Sequence, residues 1–370
     1  MNRFMNTLSH SLLRSLISTF SLTLPVGLLA LGALSCSGSG IPESYPNPKM
    51  VNGIYAHAFG DPRSTAVIFI HDSFGDPSIV PSDSVLGGPS LNSMYFEFGA
   101  AEKLAEKNFY VVTYDLRGQG RSADARNLSD YSYQQSAADI KSLILSFNLS
   151  LPIIIGHSHG GLIALKFDEL NPGASRKIVL VDTPTDVFQM LGTISANCLE
   201  RYNKVGESSK VVEMKDTLDT LSNANSPHQD RSMLAIRMFE RAGTCGGGSG
   251  LFSTKAPSAD ALKFYKMIST LQIPISKSNQ TSALNGFLAN EDYIHLNVNA
   301  YVSAHNDHIV GLYGSEDGFF DSNALSQIKT SLAVDAHPER FAMIDAASHN
   351  SFIDQRNSFI DALNAMLIAK

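Results

Sequence analysis

Four short runs limit what this chain can become: "TAVIFI" at 65–70, "FYVVTYD" at 109–115, "LPIIIG" at 151–156 and "RKIVLVD" at 176–182. Each is apolar and largely β-branched or aromatic on consecutive residues, so a strand built from it buries both faces. Two buried faces need cover, and the intervening segments supply it as helices. "MYFEFGAAEKLAEKN" (94–108), "YSYQQSAADIKSLILSF" (131–147) and "GGLIALKFDELN" (160–171) read as helices, with Ser132 as a cap for the second. Strand–helix alternation implies a mostly parallel central sheet with helices on both faces. "VNGIYAHA" (51–58) reads as an edge strand ahead of it.

The rhythm stops near residue 184. Residues 185–304 are richer in polar residues and helical in pattern, include the loose loop "GTCGGGSG", and contain no buried-strand run. It resumes with "HIVGLYG", "SNALSQIKTSLAV", "RFAMID" and a final amphipathic helix from 351. The core is therefore expected at 50–184 and 305–370, interrupted by a helical cap at 185–304. In sheets of this kind ligands sit beyond the carboxyl ends of the strands.

The N-terminus has a different character. Arg3 and Arg14 precede a charge-free stretch, "SLISTFSLTLPVGLLALGALSCSGSG". A basic start, an apolar middle and small residues near a cut site form an export signal over residues 1–36, followed by a tether at 37–49. Two versions stand: a cleaved secretory peptide, or a lipoprotein signal in which "ALSC" ends on a lipid-bearing Cys36 and ties the protein to a membrane. The expected location is the cell envelope, periplasm or exterior. With Cys36 lipidated, Cys198 and Cys245 remain as an even pair in an oxidising compartment, so a disulfide between them is expected. A net charge of −7 with scattered Lys and Arg argues against a nucleic-acid partner.

"GHSHG" (Gly156–Gly160) fits G-x-S-x-G at the point where a strand hands over to a helix. A turn that sharp forces strained angles on the serine and tolerates no side chain two residues to either side. It presents the hydroxyl at a helix N-terminus above the sheet. Ser158 is the expected nucleophile. It needs a base and an orienting acid, each on a loop after a later strand. His349, after the last strand, is the expected base. Asp317, after "HIVGLYG", is the expected acid, with Asp182 at the end of "KIVLVD" as the alternative. The oxyanion donors are expected to be the backbone N–H groups of His159 and Ser73. This chemistry requires no metal or organic cofactor. His295, His305 and His308 do not have the spacing of metal ligands.

Together these segments resemble the α/β-hydrolase superfamily, in particular its capped branch of monoacylglycerol lipases, esterases and serine aminopeptidases. The resemblance rests on "FIHDSFGD", "YVVTYDLRGQGRS", "IIIGHSHGGLIAL", "GLYGSEDGFF" and "AASHNSF". It implies the α/β-hydrolase fold, and it implies that "DLRGQGRS" is a turn bracing the site, with Arg117 free to pair with a carboxylate. Two positions depart from the pattern: Asp72 stands where Gly usually follows the oxyanion-loop His, and Ser348 where Gly often precedes the catalytic His. A carboxylate at 72 must point away to leave an oxyanion undisturbed. The segment 75–92 is longer than usual and is expected to line the mouth of the site; its "GGPS" resembles the oxyanion motif of proline iminopeptidases, but no buried strand precedes it and the match is taken as coincidence.

The leading functional expectation is hydrolysis of a small-molecule acyl ester through an acyl-enzyme. An aminopeptidase related to proline iminopeptidases is the alternative; it would need cap carboxylates such as Glu200, Glu213 or Glu240 to hold a free amine. A further alternative is an inactive surface binding protein on the same scaffold. Dehalogenase and epoxide hydrolase chemistry is disfavoured, because it uses a carboxylate where this chain has Ser158.

Overall fold

The computed structural model describes residues 48–73, 92–223 and 277–368, with scattered positions between 237 and 263. The expected signal and tether, Cys36, Glu240 and almost all of the 75–92 segment lie outside the described residues. Eight strands form one sheet: β1 (Lys49–Val51), β2 (Ile54–Phe59), β3 (Thr65–Ile70), β4 (Phe109–Tyr114), β5 (Ile153–His157), β6 (Lys177–Val181), β7 (Ile309–Gly314) and β8 (Phe341–Ile344). Their order is β1-β2-β4-β3-β5-β6-β7-β8, with β1 and β2 antiparallel to their neighbours and the rest parallel.

The continuous apolar runs are explained by the two packed faces. Within β3, Ile68 and Ile70 join one core layer while Val67 and Phe69 join the other. In β5, Ile154 faces the first layer, and Ile153 and Ile155 face the second. Alternate side chains of one strand thus feed opposite layers, and none meets water.

Two local readings change. "VNGIYAHA" is not one edge strand: Asn52 and Gly53 both have positive φ (51° and 84°) and close a two-residue hairpin between β1 and β2. Asn-Gly is the pair that tolerates such a turn. The segment from Met94 is helical but not uniform, because Glu97–Ala101 forms a π turn between the α-helical stretches Met94–Phe96 and Glu102–Glu106. Helix Tyr133–Ser146 starts where Ser132 accepts a hydrogen bond from the Gln135 N–H at 3.2 Å.

Between β6 and β7 run helices Val187–Val205, Ser208–Ser222, Lys277–Asn290 and Asn299–Ala304. Met214, Leu221, Met238, Phe239 and Leu251 of this region are buried in the core layer that they share with the sheet. A disulfide joins Cys198 to Cys245, with Cα atoms 5.3 Å apart, both residues fully buried. It closes a loop of 47 residues, for which chain entropy gives about 2–4 kcal/mol of stability. Urea unfolding with and without a reductant is expected to show a loss of that size; overlapping curves would contradict it.

The chain passes from β3 to β4 on one side, then crosses β3 to β5 and continues outward to β8. The direction of winding reverses between β3 and β5. The carboxyl ends of these two strands are where a ligand crevice belongs, and they carry His71–Ser73 and Ser158.

Candidate active site

Ser158 follows β5 directly and opens helix His159–Leu170 with φ 52° and ψ −119°. Such angles cost a non-glycine residue about 1–3 kcal/mol and persist only where the surroundings enforce them. The enforcement is visible in the flanking glycines. A Cβ on Gly156 would land on the Gly160 carbonyl, and one on Gly160 would lie 2.5 Å from the carbonyl oxygen of Ile70. The helix therefore starts in direct contact with the end of β3, which brings the β3 loop over Ser158.

That loop is pinned from three directions. The Leu116 N–H donates to His71 Nε2 at 2.9 Å, which leaves the proton on Nδ1 to donate to the Asp72 carbonyl at 2.7 Å. The Ser73 hydroxyl and His159 Nδ1 are 2.8 Å apart. Asp72 itself is fully buried, and its Oδ1 accepts the backbone N–H of His159 at 3.3 Å. The condition for an undisturbed oxyanion, a carboxyl at 72 that points away, is not met: its oxygen sits on one of the two expected oxyanion donors.

The loops after β7 and β8 converge. His349 and Asp317 are buried, and His349 Nδ1 lies 2.9 Å from Asp317 Oδ2. Asp317 Oδ1 accepts the Phe319 N–H at 2.9 Å, and the Phe319 ring stacks on the imidazole with centroids 3.9 Å apart. His157, the residue before Ser158, holds the His349 carbonyl through Nε2 at 2.7 Å, and the two rings are 5.0 Å apart. The loop bearing His349 is thus fastened to the strand that carries Ser158.

Asp182, the alternative acid, is turned to another task. Its Oδ1 accepts the Gly314 N–H at 2.7 Å and its Oδ2 the Ser351 hydroxyl at 2.6 Å, which joins the end of β7 to the helix after His349. Burial raises both Asp182 and Asp317 well above the usual carboxylate range, and the proximity of Asp317 adds to the rise at Asp182. Burial pushes His349 down to about 3, so its imidazole is neutral at ordinary pH. His159 is also pushed down to about 3 by burial, and so remains a neutral partner of Ser73.

Ser348 acquires a reason where glycine was expected. Its hydroxyl donates to the Leu251 carbonyl at 2.8 Å, and Asn197 Nδ2 donates to the Gly318 carbonyl at 2.7 Å. Both bonds tie the inserted region to the two loops that carry His349 and Asp317. "DLRGQGRS" forms a brace: Arg117 pairs with Asp139, and Arg121 bridges Asp115 and Glu97. His295 pairs with Asp292, His305 stacks on Tyr301, and His308 bridges Asp168 and Asp307. Among the described residues no group of three His, Cys, Asp or Glu is placed to hold a metal.

The family model for the alpha/beta hydrolase fold matches residues 85–355. The chain belongs to that family. The chain is 29% identical over 130 residues to a putative esterase/lipase of Haemophilus influenzae, covering 35% of this chain and 38% of that one. It is 34% identical over 104 residues to an AB hydrolase superfamily protein of Bacillus subtilis, covering 28% and 38%. The match thus spans about two fifths of the length of these relatives. Among solved structures, a proline iminopeptidase-related protein of Thermus thermophilus aligns with TM-score 0.55 at 17% identity, over 86% of this chain and 97% of that chain. At that identity the likeness is one of fold.

Sequence reasoning missed His157, Phe319 and the direction of Asp72. Phe319 had a faint signal, an aromatic two residues beyond Asp317. The other two depend on how separate loops meet.

Proposed function

We propose that this hydrolase cleaves carboxylic esters with Ser158 as nucleophile, His349 as base and Asp317 as orienting acid. The observation that carries the proposal is the 2.9 Å contact of His349 Nδ1 with Asp317, on a loop fastened through His157 to the strand that leads into the strained Ser158. An Nδ1 proton given to Asp317 leaves Nε2 as the basic nitrogen. Ser158 Oγ attacks the carbonyl while Nε2 takes its proton. The tetrahedral oxyanion takes the N–H groups of His159 and Ser73. The alcohol leaves with the proton from His349, and water activated by the same nitrogen then releases the acid. The names of the esterase/lipase relatives support an ester as the bond cleaved.

A peptide bond with a free amine nearby is the second reading, and the fold of the proline iminopeptidase-related neighbour is its only support. Two of its candidate amine holders are engaged on helix surfaces, Glu200 with Lys204 and Glu213 with Arg241. Purified protein is expected to hydrolyse p-nitrophenyl esters and to leave prolyl-naphthylamide uncut. Turnover of the naphthylamide alone would overturn the ester reading, and turnover of neither would favour a binding protein.

We also propose that residues 185–304 act as a cap over the site and that the N-terminal signal exports the protein, with Cys36 as lipid anchor. The buried Cys198–Cys245 disulfide supports an oxidising destination.

A further inference from the structure

The contact between Asp72 and the His159 N–H conflicts with the chemistry just described. Acyl transfer needs that N–H to face the oxygen that becomes negative. Here it faces the side-chain oxygen of Asp72, 3.3 Å away and sealed from water. The position suits an anion, because His159 is the first residue of a 12-residue helix and an N–H at such an end attracts negative charge. The carboxylate is not there by chance of a loose loop. His71 holds the Asp72 carbonyl, Ser73 is held by the His159 ring, and Gly160 lets the β3 loop press against the helix start.

We propose that Asp72 is a specificity-determining occupant of the oxyanion site, which gives up the His159 N–H only as the tetrahedral intermediate forms. The inference rests on the ester-hydrolase reading above. When Ser158 Oγ bonds to the carbonyl carbon and its proton passes to His349, the π electrons move onto the carbonyl oxygen. That new anion and the Asp72 carboxylate cannot share one donor, so the Asp72 side chain swings aside; it exchanges no proton. On collapse the carbonyl re-forms and the carboxylate returns.

A neutral ester carbonyl gains little by displacing the Asp72 oxygen from the N–H, whereas a full oxyanion, as a charged acceptor, forms about twice as strong a bond. Substrates with good leaving groups, which react through less charged transition states, depend less on the hole. Asp72 therefore biases the enzyme toward activated acyl groups and against sluggish ones.

The test is kcat/KM of the full chain and of its Asp72→Asn and Asp72→Gly variants on p-nitrophenyl acetate and on the less activated phenyl acetate. Both neutral variants are expected to gain about tenfold or more on phenyl acetate, with a smaller gain on p-nitrophenyl acetate. A side chain with a purely structural role would produce no gain in rate. Folded variants that are no faster than wild type, or that gain equally on both esters, overturn the inference and leave the ester-hydrolase reading intact. A structure of the wild-type protein carrying a phosphonate adduct gives an independent answer that needs no variant. The adduct oxygen on the His159 N–H with Asp72 displaced supports the inference; Asp72 still on that N–H refutes it. No turnover and no adduct in wild type would remove the hydrolytic reading and this inference together.

Discussion

His349→Ala is expected to lower kcat on a p-nitrophenyl ester by about 10⁶-fold, close to the loss for Ser158→Ala, because members of one proton-transfer unit fail together. Asp317→Asn is expected to lower it by about 10⁴-fold, since an amide at that place holds the imidazole in the wrong tautomer. Asp182→Asn separates the two carboxylates. Asp182 braces Gly314 and Ser351 rather than the imidazole Nδ1, so its loss is expected mainly to lower the urea midpoint, with a far smaller change in kcat. Steady-state kinetics on the four folded variants decide this. If Asp182→Asn lost as much activity as Asp317→Asn, the assignment of the acid would be reversed.

Arg121→Ala carries the largest expected stability cost. The guanidinium bonds Asp115 Oδ2 at 2.8 Å and Glu97 Oε1 at 2.7 Å, and it lies over the Tyr55 ring at 3.8 Å. Its removal leaves two buried carboxylates without their cation, a loss of about 3–5 kcal/mol. Lysine would rescue little, because an ammonium cannot bridge two carboxylates as a planar fork does. The pH dependence has a definite sign. Burial alone would raise Glu97, but bonds from His57, Arg121 and Ser93 outweigh it and hold its carboxyl at about 2. Its share of the stability is therefore full above its unfolded range near 4.5 and is lost as pH falls toward 2. Urea titrations of wild type and variant are expected to differ most above pH 5 and to converge in acid. A constant gap would place the effect in packing instead.

The central strands were legible because a strand buried on both faces leaves an unbroken apolar run, as in Ile153–Ile155. Ser158 was legible because its strained turn admits only glycine at 156 and 160. The hairpin at Asn52–Gly53 carried its signal in plain view, yet the apolar residues on either side read as one strand. The direction of Asp72 had no local signal: it is set by His71, Leu116 and the start of the helix at His159, which are remote in sequence. The choice between Asp317 and Asp182 was open for a similar reason. Both follow strands that point at the site, and only the packing of the loops after β7 and β8 decides which one meets the imidazole.

Ser158, made nucleophilic by His349, is the centre of this account, and a fluorophosphonate probe followed by peptide mass spectrometry tests it most directly. The predicted result is one covalent adduct on the peptide containing Ser158, formed by the wild-type protein and abolished in both Ser158→Ala and His349→Ala. An adduct on another residue, or labelling of Ser158 that proceeds equally well without His349, would contradict it.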